Sequence, residues 1–182
     1  MKISTEALLD ELKSRAGHHL QYAETLLLKP ENELNFRITS DSWSTLECLE
    51  HLNRYGDFYI PEISRRISSS KTTPKSDFKP GILGNYFAKS MLPKEKLNKM
   101  KTLKAMNPIH SQLNKEVVNE FIKQQQQLLD LLEKARYTNL EKTKTAISIS
   151  KLITLKLGDT FRFVIYHNAR HMAQAESVLK NI

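Results

Sequence analysis

Cysteine is almost missing from this chain: there is one, Cys48, in 182 residues. A lone thiol excludes an intrachain disulfide framework and fits a reducing cytoplasm. Five glycines and six prolines are too few for a collagen-like or low-complexity chain. No stretch reaches the roughly 18 to 20 uninterrupted apolar residues of a membrane-spanning helix. The N-terminus also lacks a signal peptide's apolar run, since Met-Lys-Ile-Ser-Thr-Glu passes directly into an amphipathic segment carrying Glu6, Asp10 and Glu11. What is present, 40% hydrophobic and 26% charged residues, is the balance expected of a single soluble globular domain over residues 1–182, with no membrane partner.

Acidic residues are the minority charge. Twenty Asp and Glu against 28 Lys and Arg leave a formal charge of +8, which invites a nucleic-acid or acidic-surface reading. Its distribution tempers that reading. Nine lysines fall between Lys71 and Lys104, against Asp77 and Glu95, in a stretch broken by Pro74, Pro80, Gly81, Gly84 and Pro93. Those breakers predict a long, solvated connection with short helical pieces, and make nucleic acid an unfavoured partner. An anionic small-molecule substrate steered toward a nearby pocket would use the same charge.

Periodicity predicts four long helices. Leu8, Leu9, Leu12, Ala16, Leu20, Ala23 and Leu27 form a stripe over residues 5 to 28, stopped by Lys29-Pro30. The second helix is expected from about Thr45 to Ile67, with Ser44 and Glu47 in capping-box spacing and a kink or break near Pro61. The third covers residues 111 to 136, with the glutamine run 124–127 expected on its solvated face. The fourth starts at Lys156 or Gly158 and ends near Leu179. Between the last two, residues 143 to 157 alternate enough for a short strand or hairpin, or for an extended crossover. The economical packing is all-α: a four-helix bundle with two long connections.

His167 and His171 lie one turn apart on the last helix, so both imidazoles project from one face. Their seam, with Thr160, Val164, Gln174 and Val178, mixes polar and apolar side chains, which a purely structural core rarely does. His51, on the second helix among Leu46, Leu49 and Leu52, could join them from a facing helix. Three nitrogens with an open position form a catalytic rather than a structural type of metal site. The competing structural reading is a set of core histidines satisfied by carbonyls or hydroxyls, although burying two neutral imidazoles costs free energy unless both are paired.

Two segments resemble one family. Trp43-Ser-Thr-Leu-Glu-Cys-Leu-Glu-His51-Leu resembles the second-helix signature of the DinB-like four-helix bundles, which include the YfiT-type metal-dependent hydrolases and bacterial thiol transferases. His167-Asn-Ala-Arg-His171-Met-Ala-Gln174 resembles that family's last-helix pattern. The resemblance implies a divalent transition metal (Zn, Ni, Fe or Mn) held by His51, His167 and His171, activating water in a hydrolase or a thiol in an S-transferase. It also implies pairing as a homodimer. Glu47, one turn before His51, is the candidate general base, but its capping-box position gives it an equally good structural role. Glu47, Glu50, Tyr55 and Gln174 are candidates to orient the imidazoles. Cys48 and Trp43 read as packing residues, and His18, His19 and His110 as non-ligands. Two further functions stand beside the enzyme: a non-catalytic metal-binding stress-response bundle, and a basic nucleic-acid scaffold.

Overall fold

The computed structural model describes residues 2–93 and 102–182. Four long helices carry the core: α1 (Thr5–Leu26), α3 (Thr45–Ser68), α5 (Glu116–Ala135) and α6 (Leu157–Leu179). Between α1 and α3 lies a single turn, α2 (Glu31–Leu34), and the connection after α3 contains α4 (Ile82–Met91) and a 3-10 turn, Lys104–Met106. Helix α1 packs on α5 and α6, α3 on α5 and α6, and α4 along α6. The expected all-α bundle is therefore present, and among the described residues α4 is the largest of the helical pieces foreseen in the long connection. Lys94, Lys96, Lys99, Lys101 and Glu95 of the basic stretch lie outside the described residues.

Helices α1 and α3 start at serines, Ser4 and Ser44, whose hydroxyls accept from free amide donors of the first turn. The Ser44 hydroxyl accepts from Glu47 N at 3.2 Å and the Glu47 carboxylate accepts from Ser44 N at 2.8 Å, completing the capping box. Helix α3 then runs on through Pro61 without the break that proline could have caused. Buried Tyr59, Ile60 and Ile63 hold that turn against the core and offset the missing hydrogen bond. Helix α5 begins at Glu116 rather than residue 111, because Asn114 turns the chain and accepts from Glu116 N through its side chain at 2.9 Å.

The glutamine run departs further from expectation. Gln126 and Gln127 are exposed, but Gln124 and Gln125 are buried. Gln124 donates to the Asn53 carbonyl and to Asp57, and Gln125 accepts from the Asn168 side chain at 3.1 Å. These amides link α5 to α3 and α6. Burial was possible because Gln124 Nε2 and Gln125 Oε1 meet partners that periodicity does not reveal.

A β-hairpin precedes α6. Strand β3 (Lys144–Ile147) pairs antiparallel with β4 (Ser150–Lys156), with an irregular step at Ala146 and Ile147. The hairpin is tied to α3 by Glu62, which accepts from Ala146 N at 2.8 Å, and by Tyr59, whose hydroxyl meets Ser148. A second, minimal ladder joins β1 (Ile3–Ser4) to β2 (Asp77–Phe78).

Two apolar clusters fill the bundle. One gathers Leu9, Leu12, Tyr59, Ile63, Phe161 and Ile165; the other gathers Ala23, Leu26, Leu46, Leu49, Phe121 and Met172. Fully buried members such as Leu9 and Phe161 contribute about 1.5–3 kcal/mol each. Along α6, His167 and His171 fall where the first set ends at Tyr166 and the second begins at Met172, while on α3 His51 sits between Leu49 and Leu52 of the second set and Tyr55 packs against the first.

Candidate metal centre

His51, His167 and His171 come together. One ring nitrogen from each lies within 4.8 Å of the others, and His51 Nε2 stands 3.2 Å from His167 Nε2. All three side chains are buried. His18, His19 and His110 are outside the group; His19 is buried on α1 with its Nδ1 unpartnered, and His110 contributes its backbone N–H elsewhere.

Hydrogen bonds set two of the rings. His51 Nδ1 donates to the Met106 carbonyl at 2.6 Å, and His171 Nδ1 donates to Gln174 Oε1 at 2.9 Å. In a neutral ring the proton is then on Nδ1 and the Nε2 lone pair is bare. Burial, outweighing the Met106 carbonyl, pulls the His51 pKa down to about 4. Burial and the neighbouring His51 pull His171 down to about 3, and burial also holds His167 well below the ordinary range. Neutral imidazole is the ligating form.

The spacing of His51 and His167 suits a shared metal ion. Bonds of about 2.0–2.1 Å at tetrahedral or octahedral angles separate two ligand nitrogens by roughly 2.9–3.4 Å, which brackets the His51–His167 distance. Nitrogen ligands suit Zn, Ni and Fe, and leave room for further ligands.

The surroundings close the centre with aromatic rings. Trp43 lies 4.7 Å from His51 and 5.5 Å from His171, and Tyr55 lies 5.0 Å from His51 and 4.7 Å from His167. Phe163 stacks near His167 at 5.7 Å. Beyond Tyr55 and Phe163 opens a cavity of about 880 Å³ that both rings line. A smaller depression, about 600 Å³, is lined by Asn35, Arg37 and residues 110–114 and includes none of the three histidines.

Of the other residues singled out, Gln174 does orient a ring. Glu50 instead pairs with Arg54 at 2.8 Å. Glu47 is completely buried and its carboxylate is fully engaged: Arg37 donates twice, at 2.7 and 2.9 Å, and Ser44 N and His110 N donate once each. Burial pushes its pKa up, but these donors outweigh it and hold the carboxyl below its usual range. Cys48 packs in the core, and burial pushes its thiol far up.

The segment carrying Met106 is fastened to the start of α3. Arg54 donates to the carbonyls of Ala105 and Asn107, and Trp43 Nε1 donates to Asn107 Oδ1 at 3.1 Å. Arg54 and Met106 have no signal in the sequence, because any residue supplies a carbonyl and an arginine one turn after a glutamate reads as a surface ion pair.

A helical bundle with three converging neutral imidazoles defines a class: proteins with a three-histidine centre able to hold a metal ion. The family profile of the DinB superfamily matches residues 7–175, nearly the whole chain, and the chain belongs to that superfamily. No curated protein and no solved structure matches it. No helix among the described residues is long and apolar enough to cross a membrane.

Proposed function

We propose that this protein is a metal-dependent enzyme that activates a small-molecule thiol for S-transfer, with hydrolysis as the alternative chemistry of the same centre. The observation that carries the proposal is the convergence of three buried, neutral imidazoles, two with Nδ1 committed to acceptors, beside a cavity that shares their aromatic wall. A divalent ion held by His51, His167 and His171 would supply Lewis acidity and lower the pKa of a group bound beside it.

Thiol chemistry is favoured over water by what surrounds the triad. Among the described residues no carboxylate joins the histidine group, and Glu47 spends its lone pairs on Arg37, Ser44 and His110. Glu47 therefore reads as a structural residue that caps α3 and ties it to Arg37 and His110. A thiol, with an ordinary pKa near 8.5, ionises without a protein base far more readily than water. The thiol loses its proton to solvent, its sulfur bonds to an electrophilic carbon, and the leaving group departs with the electron pair of the broken bond. The imidazoles hold the centre, Tyr55 and Phe163 exclude water from one side, and Trp43 does so from another. A cytoplasmic homodimer completes the proposal.

The test is element analysis of purified protein beside a folded His51→Ala/His167→Ala/His171→Ala variant, followed by a panel of thiols and electrophiles and of esters and amides. About one equivalent of metal in the parent alone, with metal-dependent loss of free thiol, is the expected result. Metal bound equally by the variant overturns the site. The near-complete burial of the triad favours a second reading, metal storage without turnover. Saturable metal binding with no reaction across both panels would select it.

A further inference from the structure

We propose that the cavity beyond the Tyr55–Phe163 wall binds an amphipathic organic molecule, an aromatic or branched apolar body bearing one acidic group. The claim stands on the cavity and is independent of the chemistry read at the triad.

The volume, about 880 Å³, falls in the range of small-molecule pockets, roughly 300–1,000 Å³. Its inner wall is aromatic. Tyr59 lies 5.6 Å from Phe163 and parallel to Tyr55, and Tyr55 and Phe163 are the rings that reach His167. A planar or branched apolar body stacked there meets the far side of the rings that contact His167. Its rim is apolar as well, and exposed. Ile82 is 97%, Tyr86 66% and Ile149 55% accessible, contributed by α4 and by the hairpin. Apolar side chains held in solvent around a concave, aromatic-walled space mark a binding site more than a random surface.

Charge selects the rest of the ligand. Lys89 is the single formal charge among the described lining residues, and no carboxylate lines the cavity there. Lys89 has no ion-pair partner among the described residues, although the neighbouring helices and hairpin are laced with pairs such as Arg162–Asp159 and Lys156–Glu141. An acidic group at the rim meets that ammonium while the apolar body reaches inward. The arrangement disfavours cationic ligands, which would face Lys89 without a compensating acid.

Two fluorescent probes of nearly one shape separate the two parts of the claim. Anilinonaphthalene sulfonate carries the acidic group and phenylnaphthylamine lacks it. Each is titrated into the full-length, metal-loaded protein and into the variants Ile82→Asp, Ile149→Asp and Lys89→Ala, all at exposed positions. The expectation is one saturable site for each probe. Either aspartate weakens both probes about tenfold or more. Lys89→Ala weakens the sulfonate alone, by about two- to fivefold. Absence of saturable binding, or binding indifferent to both aspartates, overturns the site. An equal response of the two probes to Lys89→Ala overturns the acidic group. The same titration on the triple histidine variant keeps the readings apart, because probe binding persists there while metal is lost.

Discussion

His51 gives its Nδ1 proton to the carbonyl of Met106, 2.6 Å away and 55 residues along the chain, so a loop backbone decides which nitrogen of a bundle histidine faces the centre. Carbonyls only accept, and the bond therefore fixes the tautomer as well as the ring plane. The consequence is a dependence of the metal centre on groups that never touch it.

Arg54 is the plainest of these. It donates to the carbonyls flanking Met106, and Arg54→Ala is expected to weaken metal affinity by about 10–100-fold with the bundle still folded. Competition with a chromogenic chelator measures this. Nitrogen NMR of His51 adds a readout that a general loss of stability would not move, namely a shift of the proton from Nδ1 toward a tautomer mixture. Unchanged affinity and an unchanged tautomer would mean that the loop holds itself.

Removing the ligands themselves has a different signature. His167→Ala is expected to abolish stoichiometric metal binding, and to cost the metal-free protein about 1–3 kcal/mol with the bundle still folded, because it removes a buried ring packed against Tyr55 and Phe163. Element analysis and urea unfolding of the same sample check both halves. Tight stoichiometric binding in this variant would rule out the assigned ligand set.

Glu47→Ala strips the partner from Arg37 and leaves the Ser44 and His110 amides without their acceptor. Loss of an acceptor shared by a half-buried arginine and two backbone amides costs about 1–3 kcal/mol, above a surface pair. Chemical denaturation gives the number. A loss below about 1 kcal/mol would show that the carboxylate is hydrated and free for other work.

Acid should destabilise the metal-free protein over a defined window. His19 and His51 are pushed down to about 4 and His171 to about 3, chiefly by burial, while the unfolded chain protonates near the ordinary histidine value. Between about 6.5 and 4 the unfolded state binds more protons, so stability is full above that window and falls as pH drops through it, by at most about 1.4 kcal/mol per pH unit for each histidine. Urea midpoints of chelator-treated protein across that interval test the slope. A flat profile would mean that the imidazoles are solvated.

Gly84 allows α4 to lie against α6. A Cβ there would stand 2.5 Å from Asp159, whose carboxylate is held by Gly81 N and Arg162 and cannot swing aside cheaply. Gly84→Ala is expected to cost about 1–3 kcal/mol. Since α4 lines the cavity, the variant should also weaken probe binding; a melting temperature and a probe titration equal to the parent's would show that the contact is slack.

The sequence by itself determined the helices that carry the core, because a period of three to four apolar residues is a local property that survives any later packing. It also determined the Ser44–Glu47 cap, the family signature and the histidine pair one turn apart, all written within a few residues of one another. Spacing named Gln174 as a possible partner but not which ring it would hold. What only the tertiary structure decided depends on residues far apart in the chain. The burial of Gln124 and Gln125 rests on Asn53 and Asn168, the continuity of α3 past Pro61 on the packing of Tyr59 and Ile63, and the engagement of Glu47 on Arg37 and His110. The centre itself belongs to the second group. Helical periodicity places an imidazole on a face, but only packing brings α3 and α6 together and lays a loop carbonyl against Nδ1. Backbone carbonyls are the same in every residue and leave no mark in a sequence.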